Sequence, residues 1–393
     1  MKTICLFSPG NLPVPAVRGG AIETLLHMLI EQNEVEQKAK FVVVSVYDEE
    51  AERASRQYKQ TEFIFIKKNK QLDNLYKGAK VLARKLFRIR FDAPNLYYYQ
   101  GFQKVLDAHP DVVVAEDGYY EAFSGLTKKM GKEKLYLHVH HHLTASEKLA
   151  DIFTEVISVS AFVKKELLPH SALSENQVTV LRNAIDEDRF KDSLAVSAKK
   201  ALREKLGMSE NDFVVLFCGR VIPEKGVKEL ILALEKVSDK NVKLLILGSP
   251  NFALNTKSTY LDEIEDLVKQ NGDRMVFTGY VANNETYQYY GIADVVIVPT
   301  LIEEAAPLVV LEAMSVGRPL IVTDSGGIPE YATEACAIIL KRDEALVDNL
   351  AASITAIKDD AALRESLSEG SKERSKLYTK NVFYTDFIGL FDK

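Results

Sequence analysis

Three cysteines in 393 residues, Cys5, Cys218 and Cys336, lie far apart, with no pair at the spacing of a metal or redox motif. That scarcity excludes a disulfide-stapled scaffold, and buried reduced thiols are expected, because Cys5 and Cys218 sit in apolar runs. No stretch approaches the roughly 20 consecutive apolar residues that a membrane-spanning helix needs. A charged-then-apolar leader is also missing, since the chain enters an apolar run directly after Met1-Lys2-Thr3. The expectation is a cytoplasmic protein that would work at a membrane only from its inner surface. Nor is there a large excess of one charge: 56 acids face 50 bases, so no nucleic-acid partner is implied.

What is present suits two domains of roughly 150 to 200 residues each. Short apolar runs at 4–7, 41–46, 63–66, 112–114, 136–138, 156–159 and 178–181 alternate with helical patterns. A second series follows at 213–218, 244–247, 275–277, 295–298 and 320–322. Such alternation predicts doubly wound parallel sheets of the α/β class. Residues 191–205 read as a linker plus a helix, and the aromatic segment 383–391 as a terminal helix.

The densest pattern is 300–331, where Glu304 and Glu312 stand with seven residues between them. Pro307 suits a first helical turn, so a helix is expected over 307–316, closed by Gly317 and barred from resuming by Pro319. The N–H groups of Leu308 and Val309 would then be free at the helix's positive end, beside Glu304. That corner can hold a phosphate by its N–H groups and a polyhydroxyl ring by its carboxylate; an amphipathic helix with exposed acids is the plainer alternative. Arg220 and Lys225, on a glycine-flanked loop after 213–218, offer a planar fork and a mobile point charge for a diphosphate.

In the first half, Gly19-Gly20 between a strand and a helix either lets a ligand approach backbone closely or makes only a tight turn. Asp117 ends the run 111–116 and should line the crevice at the strands' carboxyl ends, or be a solvated loop carboxylate. His138, His140, His141 and His142 cluster at the end of another run. No Cys or acid accompanies them at ligand spacing, so no metal site is expected. Between 67 and 90, Lys67, Lys68, Lys70, Lys77, Lys80, Arg84, Lys85, Arg88 and Arg90 face one acid, Asp73, beside an apolar stripe. This is either a basic amphipathic helix for an anionic leaflet or a solvated helix face.

Taken in order, these motifs resemble the family-4 retaining glycosyltransferases of the GT-B fold: Pro299-Thr300, Glu304 and Glu312, Ala313-Met314, Gly317-Arg318-Pro319, Gly326-Gly327 and Glu330, with Gly219-Arg220 and Lys225-Gly226 before them. The family's Pro-Phe-Gly after the first Glu is replaced here by Ala305-Ala306-Pro307, which bears on the sugar pocket's shape. The stretch 182–190 resembles its interdomain element, with Ala184 in place of Gly, and that position argues against reading Asp186-Glu187-Asp188 as a metal-binding Asp-x-Asp. The opening Phe7-Ser8-Pro9-Gly10 and Arg18-Gly19-Gly20-Ala21-Ile22-Glu23 resemble a bacterial subgroup of surface-polysaccharide and spore-coat glycosyltransferases.

The resemblance implies two Rossmann-like domains with an interdomain cleft: an acceptor domain at 1–190, a donor domain at 191–375, and a helix at 376–393 crossing back to the first. It implies a nucleotide-sugar co-substrate, a UDP-sugar, with no other cofactor and no metal, and a glycan, lipid-linked or protein acceptor. Within it, Arg220, Lys225, Glu304 and His140 are the catalytic candidates. Gly19, Gly20, Gly219, Gly248, Ser249, Tyr280, Ala306, Pro307, Leu308, Val309 and Glu312 fall on the donor side, and Asp117 and His138 on the acceptor side. Two other classes suit the same residues: a GT-B nucleotide-sugar epimerase or hydrolase, and a non-catalytic coat or scaffold protein.

Overall fold

The computed structural model describes residues 1–87, 94–143, 148–191, 194–250 and 258–392. The chain divides into two compact units, Met1–Asn183 with Lys380–Lys393, and Ala184–Thr379.

The first unit is built on seven parallel strands: β1 (Lys2–Phe7), β2 (Ala39–Val46), β3 (Thr61–Ile66), β4 (Val112–Glu116), β5 (Leu135–Val139), β6 (Glu155–Ser158) and β7 (Val178–Val180). Their order is β3-β2-β1-β4-β5-β6-β7, so the winding reverses between β1 and β4. Strands buried on both faces by flanking helices read as continuous apolar runs, as Ile4 to Phe7 and 112–115 do here.

This unit is completed by the helix Lys380–Gly389. Phe387 meets Phe41 edge-on, with ring centroids 6.4 Å apart, and Phe391 meets Tyr136 at 5.0 Å. Tyr384 donates to Asn33 Oδ1 at 2.6 Å, and Lys2 Nζ donates to the Phe391 carbonyl.

In the second unit the strands are β8 (Phe213–Cys218), β9 (Val242–Leu247), β10 (Met275–Gly279), β11 (Val295–Val298), β12 (Leu320–Thr323) and β13 (Ala337–Leu340), ordered β10-β9-β8-β11-β12-β13. Its edge strand β13 is an addition to the runs read from sequence. Side-chain alternation along β8 splits the core. Val214 and Leu216 pack with Val310, Leu311, Ala313 and Met314 of the helix Leu308–Ser315. Val215 and Phe217 pack with Leu230, Ile231 and Leu234 of the helix Val227–Lys236. Here the winding reverses between β8 and β11, the place where ligands of such sheets bind.

Candidate functional site

At the carboxyl ends of β8 and β11, two loops lock together. Leu301 N–H donates to the Glu224 carbonyl at 2.8 Å. Thr300 Oγ1 lies 2.8 Å from Glu304 Oε1 and 3.1 Å from the Glu224 carbonyl. Lys225 Nζ donates to Glu304 Oε1, so the cation and the acid, 79 residues apart in sequence, form one ion pair. Arg220, two residues beyond the end of β8 at Cys218, is exposed and has no ion-pair partner among the described residues.

Two glycines make this contact possible. Gly226 has φ +70°, and a Cβ there would stand 2.0 Å from the Pro299 carbonyl oxygen. Gly326 has φ +55°, and a Cβ there would fall 2.3 Å from the Glu304 carbonyl oxygen, which also accepts from Gly327 N–H at 2.7 Å. Side chains rarely adopt these backbone angles and could not fit in these spaces.

The helix expected over 307–316 runs Leu308–Ser315. Pro307 is its N-cap residue, at φ −74° and ψ 122°, one position before the first turn. It can offer no side-chain acceptor, so no side chain caps the N–H groups of Leu308 and Val309. Gly317, at φ +72°, follows the helix end.

Glu312 points back at the strand ends. Tyr290 donates its hydroxyl to Glu312 Oε2 at 2.5 Å. Burial raises the Glu312 carboxyl above its usual range, against the pull of that hydrogen bond and of Arg189. Burial, with the Glu312 charge adding to it, pushes the neighbouring Cys218 thiol up to about 12. Gly219 and Gly248 lie on adjacent strand ends, with Gly219 N–H donating to the Leu247 carbonyl at 3.0 Å and Gly248 N–H to the Gly279 carbonyl at 2.9 Å. Ser249 holds the Val221 N–H through its carbonyl at 3.2 Å, and Tyr280 is exposed just after β10. Ala306 is partly buried against the same core that holds Glu312's helix.

The first unit gathers a second group at its own switch point. Glu116, the last residue of β4, is opposite His138 in the β4–β5 register. Its Oε2 accepts from His138 Nδ1 at 3.0 Å and from His140 Nε2 at 2.8 Å. One ligand atom from each of these three side chains lies within 4.8 Å of the others, a spacing that could hold a metal ion. This corrects the expectation that no acid accompanies the histidines: the acid comes from the neighbouring strand, across the ladder, where sequence spacing does not reveal it. Asp117, at φ +60°, instead accepts from His141 Nδ1 at 2.5 Å, and that bond raises the imidazole's pKa. His142 stacks on Phe162 with centroids 5.6 Å apart.

Gly19 and Gly20, at φ +75° and +97°, precede the helix Ala21–Glu36. The space over Gly20 is taken by the chain itself, because a Cβ there would stand 2.2 Å from Glu23 Oε2. Burial pushes Glu23 up to about 7, against its backbone N–H partners and the nearby His140.

Sequence reading missed Glu116, Tyr290 and Thr300 as partners. Tyr290 lies in an unpatterned Tyr-rich helix, Thr286–Ile292, and only Thr300, inside the motif it serves, stood where it could have been found. On the basic stretch, Lys77 pairs with Asp73 at 3.0 Å, and Leu72 and Leu75 are exposed. The side chains at 80–87 and residues 88–90 lie outside the described residues.

Comparison with known proteins follows the same division. Residues 198–374 match the family described as glycosyl transferases group 1. Over 275 residues the chain is 27% identical to the lipopolysaccharide 1,2-N-acetylglucosaminetransferase of Salmonella typhimurium, covering 68% of this chain and 69% of that one. It is 22% identical to spore coat protein SA of Bacillus subtilis, covering 95% and 94%. Among solved structures, Anabaena HepE in complex with UDP-glucose superposes with a TM-score of 0.76 at 18% identity, over 99% of both chains. The similarity to glycosyl transferases group 1 thus falls within the second unit, and the two parallel-sheet, Rossmann-like units have the GT-B fold.

Proposed function

We propose that this chain is a glycosyltransferase, a retaining hexosyltransferase of family 4 that uses a UDP-sugar, in cell-surface polysaccharide or glycoconjugate synthesis. The observation that carries the reading is the Lys225–Glu304 pair beside Arg220 and the uncapped helix start at Leu308 and Val309. It puts cations, N–H groups and a carboxylate at one strand-end corner. Matches to lipopolysaccharide and spore-coat proteins support the setting.

Glu312, already taking one hydroxyl from Tyr290, meets the ribose hydroxyls, and Glu304 meets the hexose. Gly248, Ser249 and Tyr280 flank the nucleotide. Arg220, Lys225 and the N–H groups of Leu308 and Val309 hold the diphosphate and stabilise its charge as it leaves. In the transfer, an acceptor hydroxyl oxygen bonds to the sugar's C1 on the face from which the diphosphate departs, the C1–O bond breaks with its electron pair going to the diphosphate, and the diphosphate takes the hydroxyl proton. His140 meets a sugar hydroxyl, and Asp117 and His138 lie on the acceptor side. Cations already aimed at the departing anion do the work a metal would otherwise do.

The test is turnover of a UDP-sugar by purified Arg220→Ala and Lys225→Ala. Each substitution is expected to lower the rate on the order of 10² to 10³ while leaving thermal stability near wild type. Near-wild-type turnover in either variant would remove the diphosphate assignment.

A further inference from the structure

Glu116 reaches two rings because β4 and β5 run in parallel register with Glu116 opposite His138, and His140, two positions on, falls on the same face. The rings of His138 and His140 lie with centroids 3.9 Å apart. Both N–H groups converge on one oxygen, Oε2; Oε1 and His138 Nε2 are buried with no hydrogen-bond partner. Burial favours the neutral acid, but the two histidines outweigh it and hold Glu116 down to about 2, as a carboxylate. A carboxylate can only accept, so His138 must carry a proton on Nδ1 and His140 one on Nε2. On a ring that carries only that proton, Nδ1 keeps its lone pair. That atom has no partner among the described residues and is not among the buried unpartnered atoms.

We propose that Glu116 is a positioning residue. It fixes the ring angle and tautomer of His140, making Nδ1 a dedicated acceptor for a sugar hydroxyl, while His138 holds the carboxylate in place. The hydroxyl's identity rests on the glycosyltransferase reading; the tautomers do not. An imidazole with the opposite tautomer would present an N–H at that point, which could not accept a hydroxyl proton.

Two measurements on the full chain test this. The first is ¹⁵N imidazole spectroscopy of the wild-type protein without substrate at neutral pH. It is expected to show His138 protonated at Nδ1 and His140 at Nε2. The reverse pattern overturns the proposal, and with one equivalent of bound zinc it would mean that the three side chains form a metal site instead.

The second is a double-mutant cycle on transfer from a UDP-sugar. Glu116→Gln keeps the shape and one acceptor oxygen, and is expected to lower kcat about tenfold or more, the loss of one or two hydrogen bonds to a charged group. In a His140→Ala background the same change is expected to do nothing further, because Glu116 acts through that ring. Equal losses in both backgrounds would make Glu116 merely structural and overturn the proposal. If wild-type protein transfers no sugar while the spectra match, the function reading fails and the tautomer assignment stands.

Discussion

Glu304 and Glu312 share one loop and helix yet face different neighbours. Glu304 is tied to Lys225 and Thr300, and Glu312 to Tyr290 under the influence of Arg189. Their substitutions are therefore expected to separate by role. Glu312→Gln should weaken UDP and UDP-sugar alike, by about 10- to 100-fold, since the buried site was built to pair with hydroxyls. Glu304→Gln should leave UDP affinity unchanged or slightly raised, because Lys225 loses a competing acid, while reducing sugar transfer. Calorimetry with UDP on both variants decides it: an equal loss of UDP affinity would reverse the assignment of ribose and hexose. Most residues of this corner were legible because they lie in short motifs of fixed spacing. Tyr290 and Glu116 were not, because each is brought in by tertiary packing or by the ladder between strands, which leaves no local periodicity to read.

At the scale of elements, apolar runs marked the strands well, because strands buried on both faces need aliphatic side chains at every position. The edge strand β13 escaped notice: it has four residues, two of them only half-buried, and follows directly from the small-residue stretch around Ala335 and Cys336. The start of the helix Leu308–Ser315 was placed one residue early because Pro307, fit for a first turn by its φ, takes an extended ψ instead. The basic helix Lys70–Phe87 is a different case. Its first half shows one acid, Asp73, already engaged by Lys77 and by the Leu96 N–H at 3.0 Å, with Leu72 and Leu75 exposed beside the lysines. It is expected to bind vesicles containing anionic lipid if the acceptor is lipid-linked, and to release them as salt screens charges beyond about 8 Å. Sedimentation that shows no association at low salt would assign the stretch to a solvated face.

For the whole molecule, the helix Lys380–Gly389 matters most. Phe387, fully buried, packs on Phe41 of β2, and Phe391 on Tyr136 of β5. Phe387→Ala is expected to destabilise the first unit by about 3 to 5 kcal/mol through lost burial and the cavity left behind. Hydrogen exchange should show faster opening of β1 and β2 with little change in β8 and β9; uniform acceleration in both units would contradict the assignment of this helix to the first. The same arrangement has a consequence for synthesis. On the ribosome, residues 1–183 emerge first but lack the aromatic segment that covers Phe41 and Tyr136, which follows only after Ala184–Thr379 has been made. The unit translated first is thus the one that finishes last, and until then it keeps an apolar surface that a chaperone could bind.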